Sequence, residues 1–246
     1  MKPERLKWTP ELVSRFWDGF SHTQLVQFSF SKQAGPSLLI AVDHLLPRNG
    51  EVLDFGAGDG DLVRLLCERG FRASAYEPSA GRVHNLESAL SDVDGFGGVI
   101  GQSSSAQFDV VIMTEVVEHI LDEEMEGTLR RLAELTKPGG TLVVTTPNNE
   151  DLELGMTYCP VSNMLFHRWQ HVRSFTETTL PMLLRQHGFA EIVTHRIGFD
   201  AAVFLPVDPQ LPASRDELPD YIVKLRRNEK AFIGSEANLL YIGRRT

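Results

Sequence analysis

Apolar residues ahead of position 50 recur at helical spacing: Leu12, Phe16 and Phe20, then Leu38, Leu39, Val42, Leu45 and Leu46, with Pro47 and Gly50 closing the segment. The pattern predicts a helical cap over residues 1–50, interrupted by a loop over 27–35, where Phe28 and Phe30 stand among polar neighbours. From residue 51 the period changes. Short apolar runs alternate with helical patterns, as in a parallel sheet covered by helices. Runs at 51–55, 72–76, 110–113, 141–145 and 239–242 read as strands, with weaker ones at 99–100 and 192–195. Helices are predicted near 61–68, 83–89, 123–135 and 177–187, the last stopped by Gly188. Residues 200–221 are proline-rich and mix charged with small side chains, so an insertion at about 200–232 is expected on the surface of a domain running from 51 to 246.

Composition narrows the classes. With 246 residues, 42% of them apolar, the chain can build a core without disulfide or metal staples. Its two cysteines, Cys67 and Cys159, form no CxxC pair, which fits a reducing, cytoplasmic setting. Residues 1–9 are polar, and no run approaches the roughly 20 apolar residues of a membrane span, so a soluble protein is expected. A net charge of −9 opposes non-specific attraction to nucleic acid and leaves only a local basic patch open.

The segment Glu51-Val-Leu-Asp-Phe-Gly-Ala-Gly-Asp-Gly60 is a strand running into a glycine turn that opens a helix. Gly56, Gly58 and Gly60 allow tight curvature and close approach of a ligand. A dinucleotide site wants GxGxxG before a helix facing pyrophosphate, whereas Asp61 here would repel that anion, so a ligand without phosphates is favoured. Glu77 ends the second strand, where its carboxylate can accept hydrogen bonds from both ribose hydroxyls. Strand, glycine turn and acidic terminus describe one adenosine site.

Here the chain resembles the class I S-adenosylmethionine (SAM)-dependent methyltransferases, whose first motif runs Val-Leu-Asp-x-Gly-x-Gly-x-Gly. The resemblance covers roughly residues 50–148, through Phe108-Asp-Val-Val-Ile and Leu135-Thr-Lys-Pro-Gly-Gly-Thr-Leu. It implies a Rossmann-like, doubly wound, mostly parallel seven-stranded α/β sheet. It also implies a SAM site made by Asp54, Phe55, Gly56, Ala57, Gly58, Gly60, Glu77 and Thr114, with Asp54 and the turn on the amino-acid half and Glu77 on the ribose. The Asp that often contacts adenine after the third strand is missing from Gly98-Val-Ile-Gly-Gln-Ser-Ser-Ser, and Gln102 is the available substitute.

After the strand at 110–113 comes Thr114-Glu-Val-Val-Glu-His-Ile120. On a helix, Glu115, Glu118 and His119 would share one face at the carboxyl end of the sheet, a donor set suited to Mg²⁺, Mn²⁺ or Zn²⁺. Downstream, Phe166-His-Arg-Trp-Gln-His-Val-Arg-Ser-Phe-Thr176 is similar to a stretch of the small-RNA 3′-terminal 2′-O-methyltransferases, which bind a metal through Glu-x-x-Glu-His and a later His. By that likeness His171, followed by Phe175 and Thr176, is the later ligand, and His167 is not. Glu-x-x-Glu-His also occurs in ubiquinone-pathway O-methyltransferases. Over its full length the chain resembles bacterial methyltransferases of cell-surface sugar pathways, through Trp-Thr-Pro-Glu, Thr-Thr-Pro-Asn-x-Glu-Asp-Leu and His-Arg-Trp-Gln-His.

The expected activity is O-methylation of a hydroxyl on a small molecule or sugar conjugate. A cation at Glu115, Glu118, His119 and His171 would assist, or His119 or His171 would act as general base. Two alternatives stay open: an RNA 3′-terminal 2′-O-methyltransferase, with Arg168 and Arg173 serving a local phosphate, and a SAM-binding regulatory subunit without turnover. The same glutamates also suit a helix first turn, and the histidines suit packing or capping.

Overall fold

A computed structural model describes residues 2–207 and 218–246. In chain order the elements are β1 (Glu4–Arg5), α1 (Pro10–Ser21), α2 (Phe30–Val42), β2 (Glu51–Phe55), α3 (Asp61–Glu68), β3 (Arg72–Tyr76), α4 (Ala80–Leu90), β4 (Phe96–Val99), β5 (Phe108–Thr114), α5 (Asp122–Leu135), β6 (Thr136–Pro147), β7 (Met156–Cys159), β8 (Met164–His167), α6 (Thr179–Gln186), β9 (Phe189–Ile197), α7 (Ala201–Phe204), α8 (Asp220–Arg226), β10 (Phe232–Ile233) and β11 (Asn238–Arg245). The main sheet has the order β10-β9-β11-β6-β5-β2-β3-β4, and β11 alone runs antiparallel to its neighbours. All seven expected strands are present, and the two-residue β10 adds an eighth at the edge.

Alternation along the strands builds two cores. Val52, Val110, Ile112 and Val143 face one side, against α2, α3 and α4; Leu53, Val111, Met113, Leu142 and Val144 face the other, against α5 and α6. Burial on both faces is what makes these strands near-continuous apolar runs. On α5, Met125, Leu129, Leu132 and Leu135 sit on one stripe, and truncating the fully buried Leu129 to Ala should cost about 2–5 kcal/mol.

The chain winds outward from β2 to β3 and β4, then returns to β5 on the other side of β2. The carboxyl ends of β2 and β5 therefore flank a switch point, where open α/β sheets take their ligands.

Two expectations need correction. The loop over 27–35 gives way at Phe30 to α2, which carries Pro36 inside it. Tertiary burial overrides the local signal: residues 37–42 are all buried, and Gly35 lets α2 approach α3 so closely that a Cβ would meet Leu65 Cδ1 at 2.7 Å. The described flanks of the 200–232 insertion are not surface segments either. Phe199, Phe204, Val207, Ile222 and Leu225 are buried in the core beside α2, because apolar residues at helical spacing outweigh the prolines between them. Residues 208–217 lie outside the described residues.

Candidate functional site

Gly56, Gly58 and Gly60 follow β2 with φ of +86°, +56° and +83°, a left-handed run that only glycine adopts without strain. A Cβ on Gly56 would meet Val116 Cγ2 at 2.6 Å and one on Gly58 would meet Arg82 Nη2 at 2.6 Å, so neighbouring side chains already lie against the turn and leave no room for a Cβ. Glu77 closes it from β3: its Oε2 accepts from Gly58 N–H at 2.9 Å and its Oε1 from Ser79 N–H at 2.9 Å. Burial pushes the Glu77 carboxyl up, against the pull of Arg82 and the two N–H groups. Asp54 is fully buried with Oδ1 lacking a hydrogen-bond partner, and burial, then Glu77 and Asp61, push its carboxyl up to about 8. A buried carboxyl with an unpartnered oxygen beside the glycine turn suits a cationic group such as the amino-acid end of SAM. Ala57 and Thr114 are buried at the same strand ends, whereas the Phe55 ring stacks on Tyr76 at 4.6 Å and packs into the core, leaving only its backbone to the site.

Residues 115–119 do not form the expected helix. Glu115 takes φ +50°, its N–H donates to Thr145 carbonyl at 3.0 Å, and a turn closes from His119 N–H to Val116 carbonyl at 3.0 Å. The helix begins only at α5, where Asp122, Glu123 and Glu124 crowd the first turn and favour its positive end. The turn nevertheless brings Glu118 and His119 together. Hydrogen bonds from Val172 N–H to Glu118 carbonyl and from Gln170 Nε2 to His119 carbonyl, both 3.0 Å, tie the segment after β8 onto it. One donor atom each from Glu118, His119 and His171 then lie within 4.8 Å of one another. Glu115 is not in that group; its Oε1 accepts from Asn238 Nδ2 at 3.2 Å.

Glu118 is buried: Oε2 accepts from Thr146 Oγ1 at 3.0 Å and Oε1 has no partner. Burial, followed by the neighbouring Glu115 carboxylate, pushes its carboxyl well up. Burial and then His171 push the His119 imidazole down to about 3, so that ring is neutral at ordinary pH.

A second group shares His171. Glu150 Oε2 lies 2.5 Å from His171 Nδ1, Glu150 Oε1 lies 3.4 Å from His167 Nε2, and the rings of His167 and His171 stack at 4.5 Å. Sequence reasoning set His167 aside and gave Glu150 no role. The Glu150 signal was its place just after the longest parallel strand, in Thr-Thr-Pro-Asn-Asn-Glu, and that of His167 was its four-residue spacing from His171.

Over both halves lies α1. Trp17 Nε1 donates to Gln170 Oε1 at 3.0 Å, its ring meets the His119 ring edge-on at 4.9 Å, and the Arg82 guanidinium lies 5.6 Å from its centroid. Ser79 Oγ donates to Asp18 Oδ1 at 2.7 Å, and Phe20 packs on Trp169. The extension thus covers the glycine turn and the histidines together.

A family model described as "Methyltransferase domain" matches residues 32–195. The chain is 30% identical over 188 residues to a ubiquinone biosynthesis O-methyltransferase of Chelativorans sp. (strain BNC1), covering 70% of this chain and 69% of that protein. It is 28% identical over 171 residues to a malonyl-[acyl-carrier protein] O-methyltransferase of Methylococcus capsulatus, covering 67% and 60%. Its fold is similar to that of a Burkholderia thailandensis 1,6-didemethyltoxoflavin-N1-methyltransferase solved with its acceptor and S-adenosylhomocysteine, with a TM-score of 0.62 at 18% identity over 99% of this chain and 94% of that one.

Proposed function

The chain belongs to the methyltransferase-domain family and is a SAM-dependent methyltransferase, and on that premise we propose that it methylates a hydroxyl group of a small molecule or sugar conjugate. The observation that carries this reading is the convergence of Glu118, His119 and His171 beside the switch point at the end of β5. Both relatives described above are named O-methyltransferases, which supports an oxygen acceptor.

When bound, SAM supplies an electrophilic methyl on a sulfonium sulfur. Asp54 and the Gly56–Gly60 backbone suit its amino-acid end, with the backbone of Phe55 and Ala57 beside them, and Glu77 suits the ribose hydroxyls, with Thr114 at the floor between β2 and β5. The family reaction forms an O–C bond as the C–S bond breaks, and the hydroxyl proton must leave. His171 is the better base, because Glu150 supports it, whereas His119 at about 3 binds protons weakly. Alignment of the acceptor with the methyl supplies much of the remaining rate. By covering both halves, α1 keeps water away from them.

A metal-assisted variant is favoured by one observation, the buried Glu118 Oε1 left without a hydrogen-bond partner beside two imidazoles. Glu118, His119 and His171 would hold a divalent ion such as Mg²⁺, Mn²⁺ or Zn²⁺, which would lower the pKa of a hydroxyl bound to it; Glu115 would have to turn from Asn238 to join them. RNA 3′-end methylation is disfavoured by the net charge of −9.

The test is transfer of labelled methyl from SAM to a panel containing a catechol, a hydroxylated sugar conjugate and a short RNA with a free 3′ end, with and without EDTA. Label on a small-molecule hydroxyl, lost in His171→Ala, is expected. Label confined to RNA, or to a nitrogen acceptor, refutes the reading, and the absence of turnover with every acceptor favours a binding subunit. Full activity after EDTA removes the metal variant alone.

A further inference from the structure

We propose that Glu150 and His167 are positioning residues that hold His171 with its proton on Nδ1 and its lone pair on Nε2, the nitrogen left free to serve the acceptor. The argument begins at His167, whose Nδ1 accepts from two backbone N–H groups, of His171 at 3.1 Å and Trp169 at 3.4 Å. Backbone N–H groups only donate, so Nδ1 carries the lone pair and the proton of the neutral ring sits on Nε2. That nitrogen is buried, packs against Gly155 where a Cβ would overlap it, and lies 3.4 Å from Glu150 Oε1. That nitrogen makes no hydrogen bond, so His167 is held through Nδ1 alone. It faces Glu150 as an N–H, not as a base or a metal ligand.

With Oε1 turned to His167, Glu150 presents Oε2 to His171 Nδ1 at 2.5 Å. An ionised carboxylate only accepts, so His171 must donate through Nδ1. The His171 side chain is only 9% exposed, and its backbone is fixed by the His171 N–H to His167 Nδ1 bond, so ring rotation is hindered. The nitrogen not taken by Glu150 is then Nε2, on the ring whose donor atom lies within 4.8 Å of those of Glu118 and His119. An orienting carboxylate that fixes the tautomer of a working imidazole is a device shared by bases and metal ligands alike.

The inference rests on the reading of His171 as the working imidazole, yet the tautomer can be observed without any acceptor. Long-range ¹H–¹⁵N correlation spectra of protein labelled with ¹⁵N-histidine, recorded near pH 8 and assigned with His171→Gln and His167→Gln, read it directly. In the wild type, His171 should show a pyrrole-type Nδ1 and a pyridine-type Nε2, and His167 the reverse. Glu150→Leu should move His171 to an averaged or inverted pattern, while Glu150→Gln, whose side-chain carbonyl still accepts, should restore the wild-type one. A pyridine-type Nδ1 on His171, or both nitrogens pyrrole-type, overturns the proposal in the wild type alone, even if Glu150→Leu does not fold. An unchanged His171 pattern in folded Glu150→Leu overturns it as well. Loss of the functional reading would instead appear as methyl transfer untouched by His171→Ala, with the tautomer pattern intact.

Discussion

With the ammonium of SAM placed at Asp54 as proposed, SAM binding becomes a proton-linked event with a calculable size. At about 8 the Asp54 carboxyl is roughly 90% protonated in the free protein at pH 7, and holding the ammonium of SAM requires it to ionise. Ionisation then costs about 1.4 kcal/mol at pH 7 and about 2.7 kcal/mol at pH 6, against the roughly 1.5–3 kcal/mol of a charged hydrogen bond. SAM affinity should therefore fall nearly tenfold between pH 7 and pH 6, a range in which the ligand's own amino group stays protonated. About 0.9 proton should be released per SAM bound at pH 7, read by calorimetry in phosphate and in Tris, whose ionisation heats differ. Asp54→Asn should abolish the release and flatten the pH dependence; at pH 8 it should bind roughly 10–150-fold more weakly, the fold equivalent of the lost charged hydrogen bond. A dissociation constant unchanged from pH 6 to pH 7, with no buffer dependence of the heat, would refute the placement of the ammonium at Asp54.

Gly58→Ala should weaken SAM binding while the protein stays folded by circular dichroism, because the added Cβ is strained at a left-handed φ of +56° and displaces the Arg82 guanidinium; unchanged affinity would remove the turn from the SAM site. Trp17→Phe keeps a ring against His119 but leaves Gln170 Oε1 without its donor; a loss of about 1 kcal/mol in chemical denaturation and faster amide exchange across α1 are expected, and unchanged exchange would deny α1 its latch. His195 is buried with Nδ1 accepting from Ala231 N–H, and burial pushes its imidazole down to about 4. Its folded value lies below the unfolded 6.5, so the stability it contributes is complete above pH 6.5 and is lost as pH falls toward 4, by about 3 kcal/mol in total. Denaturation at pH 7, 5.5 and 4 should show His195→Leu with a shallower acid loss than wild type, whatever its stability at pH 7, and equal slopes would contradict the assignment.

Much of the fold was legible because burial on both sheet faces leaves a strong local trace. The bounds expected for β2, α3 and β3 match those observed, since each is a short apolar run ended by Gly56, Gly70 or Pro78. The glycine turn and its contact with Glu77 were legible for the same reason, as they lie within one strand–turn–helix–strand unit. The acceptor half was only partly so. Glu118, His119 and His171 were expected together and do converge, but the expected helix between them is a turn, and Glu115 faces Asn238 instead. Glu150, Gln170 and Trp17 escaped notice because their contacts span 21 to 153 residues of sequence, which no local period records, whereas His167, only four residues from His171, was set aside on the likeness alone.

Three positions beside the candidate site share a backbone property. Glu115, Asn149 and Gln170 have φ of +50°, +51° and +61°, a region that costs non-glycine residues of order 1 kcal/mol or more. Each strained residue lies next to or close before a working group: Glu115 ahead of Glu118 and His119, Asn149 before Glu150, and Gln170 before His171. The backbone reversal at each point turns the following side chain inward, and local contacts hold it there. Glu115 N–H is fixed by Thr145, Asn149 N–H by the Phe175 carbonyl at 2.7 Å, and Gln170 by Trp17 on one side and His119 on the other. Sequence rules describe the relaxed chain, so they assigned a helix where the strain begins at Glu115. On the proposed function, this strain is part of the cost of holding the acceptor side of the site in place before any acceptor arrives.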